Sequence, residues 1–194
     1  MILGVTGGIA SGKSTVSSYL RSKNIPIVDA DAISHKIMAK GEPVLKLIEK
    51  EFGSQFFVDG RLDRQLLGRY CFEDKKRTEK LNSIVHPFIF EEMERQFEQY
   101  KEEPIVVLDA PLLIESDLHK RCDKVMVVTC KQYKRIARAV KRSNLPKMEI
   151  RNRMKQQIPE KKRLKYADYV IKNNGTIEKT LQQVDKALKD LNYE

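Results

Sequence analysis

A glycine-rich segment near the start of the chain has the residue order typical of a loop that binds phosphate groups. Residues 7–14 read Gly-Gly-Ile-Ala-Ser-Gly-Lys-Ser and fit the pattern G-x-x-x-x-G-K-[ST]. Glycines let a backbone curl so that several N–H groups point at one phosphate chain, and a following helix adds its positive N-terminal end. The predicted nucleotide-binding residues of this loop are Gly8, Ile9, Ala10, Ser11, Gly12, Lys13, Ser14 and Thr15.

Two side chains of this loop are suited to phosphoryl transfer. Lys13 can reach the β- and γ-phosphates as a point charge, and the Ser14 hydroxyl can bind Mg²⁺. Phosphoryl transfer through a loose transition state needs positioning and charge neutralisation more than covalent help. We therefore predict Lys13 as a catalytic residue, Ser14 as a metal ligand, and ATP with Mg²⁺ as the cofactors.

Acidic residues follow two apolar runs that we expect to be strands. Asp29 and Asp31 come after residues 25–28. We predict that Asp31 orients an acceptor hydroxyl and takes its proton, since a loose transition state asks for little base strength. The alternative is that these aspartates only cap the helix that follows.

Asp109 follows the apolar run at 105–108. It stands where a Walker-B-type carboxylate would hold Mg²⁺ through water, so we predict it as a metal ligand within the substrate site. The alternative is a turn residue ahead of Ala110 and Pro111.

A basic stretch later in the chain contains three arginines on one predicted helix face. Arg135, Arg138 and Arg142 are spaced three and four residues apart. Like charges on one face repel each other unless an anion joins them, which favours a phosphate clamp that closes over the nucleotide as a lid. The alternative is an ordinary solvated basic face.

The elements that must position these residues are short strands alternating with helices. Apolar runs rich in β-branched residues, without polar alternation, indicate strands covered on both faces. The predicted strands lie near residues 2–6, 25–28, 105–108, 124–129 and 169–171, and helices lie near 13–22 and 177–190. We predict an α/β fold with a doubly wound, five-stranded parallel sheet of the P-loop NTPase type, whose ligands lie at the carboxyl ends of the strands.

Two long helical stretches interrupt this alternation. The first, 32–102, has about 70 residues where a crossover needs about a dozen, so we predict an inserted subdomain that holds a second substrate; the alternative is helical padding. The second, 134–166, is the predicted lid. The predicted nucleotide-binding core is then 1–31, 103–133 and 167–194.

The composition of the chain indicates a globular protein. The chain has 194 residues, 41% hydrophobic and 33% charged, which suits a globular domain with one good-sized core. No apolar run approaches the roughly 18 residues of a membrane span. With strand 1 beginning directly after Met1, we expect a cytoplasmic protein without a membrane partner. The three cysteines, odd in number and without C-x-x-C spacing, are expected to be reduced packing residues.

The net charge of +10 has two interpretations. The excess lysine and arginine could bind nucleic acid, or they could line pockets for small polyanions. Aromatic residues make up only 7% and do not interleave with basic ones, so we do not expect a single-strand stacking platform. The sequence is compatible with a monomer and with an oligomer.

With these residues assembled, the chain resembles the dephospho-CoA kinase family over nearly its whole length. The loop alone would indicate only a superfamily, whereas the other motifs in this order are far more specific. They are Asp-Ala-Asp at 29–31, Asp-Arg at 63–64, Ile-Val-His-Pro at 84–87, Leu-Asp-Ala-Pro-Leu-Leu-Ile-Glu at 108–115, the lid arginines, Arg153-Met154 leading to Gln157, and Ala-Asp-Tyr-Val-Ile at 167–171 with Asn173.

The resemblance implies transfer of the ATP γ-phosphoryl group to the ribose 3′-hydroxyl of dephospho-CoA. It implies Asp31 as the base, Arg138 and Arg142 facing the ATP phosphates as catalytic residues, and Asn173 near the adenine. Arg64 and His86 would belong to the acceptor-binding helical domain. For His86 the alternative is structural, with His-Pro opening a helix and Pro87 at its first position.

The sequence departs from the family pattern within the loop, since Ala10 stands where the family usually has glycine. We expect activity to survive, provided that residue 10 does not need positive φ. Lys172 and Asn174, which flank Asn173, also depart from the pattern and could alter adenine-side contacts. Two other functions stay open: a nucleoside or nucleotide monophosphate kinase, against which the long insert argues, and a nucleotide-dependent nucleic-acid binder.

Overall fold

The computed structural model of the protein describes residues 1–155 and 157–193. Gln156, in the predicted lid, and Glu194, at the end of the predicted core, lie outside the described residues. The strands are β1 (Ile2–Gly7), β2 (Ile27–Asp29), β3 (Phe57–Val58), β4 (Arg61–Leu62), β5 (Val106–Asp109), β6 (Lys124–Thr129) and β7 (Tyr169–Lys172). The helices are α1 (Lys13–Ser22), α2 (Ala30–Ile37), α3 (Pro43–Phe52), α4 (Arg64–Phe72), α5 (Lys75–Gln99), α6 (Gln132–Ser143), α7 (Lys147–Lys155), α8 (Glu160–Arg163) and α9 (Ile177–Asp190).

Five of these strands form one parallel sheet in the order β2-β5-β1-β6-β7. Gly4 of β1 lies opposite Leu108 of β5 on one side and Val125 of β6 on the other. The predicted five-stranded parallel sheet is therefore confirmed. Because the strands are parallel, their carboxyl ends share one edge of the sheet, where β1 leads into the glycine-rich loop and β5 ends at Asp109.

Buried apolar residues explain why these segments become strands and helices. Leu3 and Val5 of β1 and Met126 of β6 are fully buried, so apolar residues follow one another without polar alternation. Val16 and Leu20 of α1 are spaced four residues apart and pack into the same cluster. The remaining large members of this cluster come from the other strands, from the residues just before β2 and β5, and from α9: Ile25, Ile105, Val107, Val128, Ile171, Val184 and Leu188.

The chain divides into two compact units. One is Met1–Asp29 together with the chain from Tyr100 onward, and the other is Ala30–Gln99. The second unit contains α2 to α5 and a small antiparallel hairpin in which Phe57 pairs with Leu62. This hairpin was not predicted from the sequence. Asp59 and Gly60 at its turn both have positive φ, as expected for an Asp-Gly hairpin turn.

Helix α5 contradicts one interpretation of the His-Pro pair. Pro87 lies inside α5, which begins at Lys75, so the idea that Pro87 occupies the first position of a helix is wrong. Asp74 caps the helix instead, since its Oδ1 accepts hydrogen bonds from the N–H groups of Lys76 at 2.7 Å and Arg77 at 3.3 Å. The cost of Pro87 is one missing helical hydrogen bond to the carbonyl of Ser83.

The outer strand of the sheet is bonded to a side chain of the last helix. Gln183 of α9 accepts a hydrogen bond from the Lys172 N–H at 2.9 Å and donates one to the Lys172 carbonyl at 3.1 Å. Since β7 ends the sheet order, the Gln183 amide takes the place that a further strand would have at Lys172.

The three cysteines are free thiols, as the sequence analysis expected. Burial raises the pKa of Cys122 to about 12, so its thiol stays protonated. None of the described helices combines the length and apolar character that a membrane crossing needs.

Candidate active site

The glycine-rich loop joins β1 to α1 at the carboxyl edge of the sheet. Gly12, the N-cap of α1, has a φ of 102°, a left-handed conformation that glycine adopts without strain. The Ser11 N–H donates to the Gly8 carbonyl at 2.9 Å and closes the turn. The first N–H groups of a helix have no partner within it, and glycine offers no side chain to compete for them. The loop can therefore present these groups to an anion.

Ala10 also lies in the left-handed region, with a φ of 56°. The expectation that activity survives with alanine at position 10 assumed that this residue does not need positive φ. That assumption is wrong, because the loop has positive φ there. The left-handed conformation brings the Ala10 methyl group, together with Ile9, against a cluster formed by Ile136, Ala139 and Ile150. This packing partly offsets the strain that a Cβ atom suffers at positive φ.

Lys13 and Asp109 are brought together at the start of α1 and the end of β5. Their Nζ and Oδ1 atoms form an ion pair, and Asp109 is only 5% exposed. Ser14 lies beside Lys13 in the first turn of α1 and is exposed. Motif residues from two distant parts of the sequence thus share one location, and a bound phosphate would compete with Asp109 for the Lys13 ammonium group.

Three side chains from distant segments hold the backbone of the loop. Arg135 Nε donates to the Ile9 carbonyl at 2.9 Å, and Gln157 Oε1 accepts from the Ile9 N–H at 2.9 Å. Asn173 Nδ2 donates to the Ser11 carbonyl, also at 2.9 Å. From the sequence, Gln157 was recognised only as part of a family motif and Arg135 was predicted to have a different role, because no spacing rule connects either residue to the loop.

The same side chains explain two of the glycines. A Cβ atom at Gly8 would lie 2.1 Å from Nη2 of Arg135, and one at Gly12 would lie 1.9 Å from Nδ2 of Asn173. Both distances are far below a van der Waals contact. A side chain at either position would force Arg135 or Asn173 to move away from the loop, and Gly12 is also required for its positive φ.

Asn173 is buried, and its side chain bonds within the protein on both sides. Besides the contact with Ser11, its Oδ1 accepts a hydrogen bond from the Thr180 hydroxyl at 3.1 Å. Its N–H donates to the Thr129 carbonyl at 2.8 Å, where β6 ends. Asn173 thus ties the loop to α9 and β6, while its nearness to an adenine stays a prediction.

The three arginines of α6 have different surroundings. Arg135 is buried and pairs with Glu160 at 3.2 Å, and burial lowers the pKa of its guanidinium despite that carboxylate. Arg138 is exposed, and its Nη2 donates to the Asn173 carbonyl at 3.3 Å. Arg142 is exposed one turn further along the helix. Arg138 and Arg142 are therefore accessible to a ligand, whereas Arg135 supports the loop.

The helical unit brings two of its predicted site residues together. Asp31 lies in the first turn of α2, and Arg64 opens α4. Burial lowers the pKa of Arg64, and the nearby Asp31 carboxylate acts in the opposite direction. Arg64 Nη1 also contacts Nδ1 of His35, one helical turn after Asp31. His35 was not predicted as a site residue, although its spacing of four residues from Asp31 indicates that the two side chains lie on one face of a helix.

His86 lies on α5 of the same unit. It is half-buried, its ring packs edge-on against Phe90 with centroids 5.7 Å apart, and burial lowers its pKa. A neutral imidazole is therefore the favoured form of His86 near neutral pH.

Comparisons with known proteins agree over nearly the whole chain. The family model described as dephospho-CoA kinase matches residues 1–179. A relative named dephospho-CoA kinase from Bacillus anthracis is 44% identical, and the match covers 99% of this chain and 98% of the relative. A crystal structure from Thermus thermophilus is 33% identical with a TM-score of 0.89, covering 98% of this chain and 97% of that one. The dephospho-CoA kinase structure from Campylobacter jejuni is 27% identical with a TM-score of 0.72, covering 98% and 96%.

Proposed function

Since this chain belongs to the dephospho-CoA kinase family, we propose that it transfers the γ-phosphoryl group of ATP to the ribose 3′-hydroxyl of dephospho-CoA. The products would be coenzyme A and ADP, the last step of coenzyme A synthesis. The match of the family model over residues 1–179 carries the proposal. We place the reaction in the cytoplasm, as expected from the sequence.

The glycine-rich loop supports the ATP half of the reaction. Backbone N–H groups at the start of α1 bind the phosphates, and Lys13 exchanges Asp109 for the β- and γ-phosphates when ATP arrives. Arg138 and Arg142, on the proposed lid at 134–166, add positive charge to the same phosphates. This positive charge stabilises the transition state most, because negative charge then spreads over the oxygens of the transferred phosphoryl group.

The coenzyme A substrate domain that we propose at 32–102, most of which lies in the unit Ala30–Gln99, supports the acceptor half. Arg64 is suited to an anionic group of dephospho-CoA, and His86 is a second candidate contact. We assign Asp31 as the base that takes the proton of the 3′-hydroxyl. The 3′ oxygen forms its bond to the γ-phosphorus as the bond to the β–γ bridging oxygen breaks, and ADP leaves.

Magnesium fits the oxygen donors at the loop. The Ser14 hydroxyl and the Asp109 carboxylate are of the type that Mg²⁺ takes, and such an ion would supply charge neutralisation for the phosphates. Across the described part of the chain, no three His, Cys, Asp or Glu side chains form a group that could hold a metal. We therefore propose that Mg²⁺ enters with the nucleotide, whose oxygens and bound water complete its shell.

An acceptor assay tests the proposal. ADP formation is measured with dephospho-CoA, AMP, CMP and shikimate as acceptors, using Lys13→Ala as the inactive control. We expect dephospho-CoA to give the highest kcat/KM by several orders of magnitude. A clear preference for a nucleoside monophosphate would instead favour the monophosphate kinase. Salt-resistant binding to random-sequence DNA without any kinase activity would favour the nucleic-acid binder.

A further inference from the structure

Ile9 is held on both sides by side chains that come more than a hundred positions after it in the sequence. Its N–H donates to Gln157 Oε1 and its carbonyl accepts from Arg135 Nε, both at 2.9 Å. Two neighbouring peptide planes in the middle of the loop therefore have their orientation set by side chains and not by the loop itself.

The two side chains are also connected to each other. Arg135 Nη1 pairs with Glu160 Oε2 at 3.2 Å, and Glu160 opens α8 three residues after Gln157. Hydrogen bonds thus join Gln157 to Ile9, Ile9 to Arg135 and Arg135 to Glu160, and the short stretch of chain between Gln157 and Glu160 completes the ring. Arg135 is 8% exposed, so its bonds lie where water competes little.

Apolar contacts reinforce the ring. Ile9 and Ala10 pack with Met154 against Ile136 of α6 and Ile150 of α7. Rotating the loop would break this packing as well as the two hydrogen bonds. The segment from α6 to α8 and the glycine-rich loop are thus held together by both hydrogen bonds and apolar contacts.

We propose that Gln157 is a positioning residue for the phosphate loop, acting with Arg135 through Ile9. By accepting a hydrogen bond from the Ile9 N–H, Gln157 fixes the orientation of the peptide between Gly8 and Ile9. The loop then has its phosphate-binding conformation before ATP arrives. A loop without this bond samples other conformations, and ATP binding must then order it. The inference depends on the proposed function only in that the loop binds ATP.

Two substitutions at Gln157 separate the hydrogen bond from the shape of the side chain. Gln157→Met keeps the length but loses the acceptor oxygen, whereas Gln157→Glu keeps an acceptor oxygen. The matched control is Gln182→Met, the same change at an exposed glutamine of α9. Calorimetry measures the Kd of ATP without acceptor, steady-state kinetics give the KM of dephospho-CoA, and thermal melts verify folding.

We expect Gln157→Met to weaken ATP binding about tenfold, the effect of one lost hydrogen bond. In a buffer whose salt screens the added negative charge, Gln157→Glu should stay within threefold of the wild type. The control Gln182→Met should not change the Kd of ATP, and the KM of dephospho-CoA should stay within twofold for all variants. The inference is overturned if Gln157→Met binds ATP like the wild type, or if Met and Glu weaken it equally. A wild type that binds ATP but phosphorylates another acceptor would overturn only the proposed function, because this test uses ATP affinity.

Discussion

Replacing Ala10 by glycine tests whether the loop holds residue 10 under strain. The φ of 56° at Ala10 brings a Cβ atom into the left-handed region, which costs an L-residue about 1–2 kcal/mol. Glycine would remove that cost. Most Ala→Gly substitutions destabilise a protein, so the sign of the effect is informative.

The expected change in the free energy of unfolding is a sum of three contributions. Relief of strain contributes about 1–2 kcal/mol in favour of the variant. The greater freedom of glycine in the unfolded chain costs about 0.5–1 kcal/mol. The half-buried methyl group, packed near Ile136, Ala139 and Ile150, contributes about half of the roughly 0.8 kcal/mol of a fully buried group. The net effect of Ala10→Gly is therefore close to zero or slightly stabilising.

Ala137→Gly is the matched control, because Ala137 is exposed in the middle of α6 with no left-handed strain. It should destabilise the protein by about 1 kcal/mol. Denaturant unfolding should thus separate the two variants by about 1–2 kcal/mol, which corresponds to roughly 3–6 °C in Tm. A loss of stability in Ala10→Gly equal to that in Ala137→Gly would refute the strain argument. Activity of Ala10→Gly should equal or exceed that of the wild type.

Three further substitutions test the site. Lys13→Ala should lower kcat by at least about a hundredfold, because it removes charge stabilisation from the transition state; steady-state rates near wild type would contradict this role. Asp31→Asn should keep the calorimetric Kd of ATP but lose phosphoryl transfer, and a kcat within threefold of wild type would leave Asp31 as a helix-start residue only. His86→Gln should flatten the pH dependence of stability: burial lowers the pKa of His86 in the folded chain, so the unfolded chain takes up the proton first, and stability falls as pH drops below about 6.5. Denaturant unfolding at pH 7.5, 6.5 and 5.5 would measure this, and an unchanged pH slope in the variant would show that His86 does not cause it.

The sheet and the loop could be predicted because their signals are local. Buried parallel strands require unbroken apolar runs, and the phosphate loop requires its glycines, lysine and hydroxyl at fixed spacing. The hairpin at 57–62 was missed because two-residue strands have no measurable period. Pro87 was misplaced because the rule for proline at helix starts is a preference, and a long helix can tolerate one missing hydrogen bond.

The supports of the loop could not be predicted, because they depend on contacts across the sequence. The spacing of Arg135, Arg138 and Arg142 correctly indicates a shared helix face but not what each guanidinium meets. Only the fold brings Arg135 and Gln157 to Ile9. The motif thus predicts which residues meet the phosphate, and the fold shows which side chains hold the loop.

The amide of Gln183 on the backbone of Lys172 has a consequence beyond the packing of α9. An open strand edge is a template on which a strand of another molecule can add, and such additions lead to aggregation. At Lys172 an incoming strand would first have to displace a donor and an acceptor that already match the exposed backbone. Gln183 thereby blocks strand addition at the Lys172 end of β7.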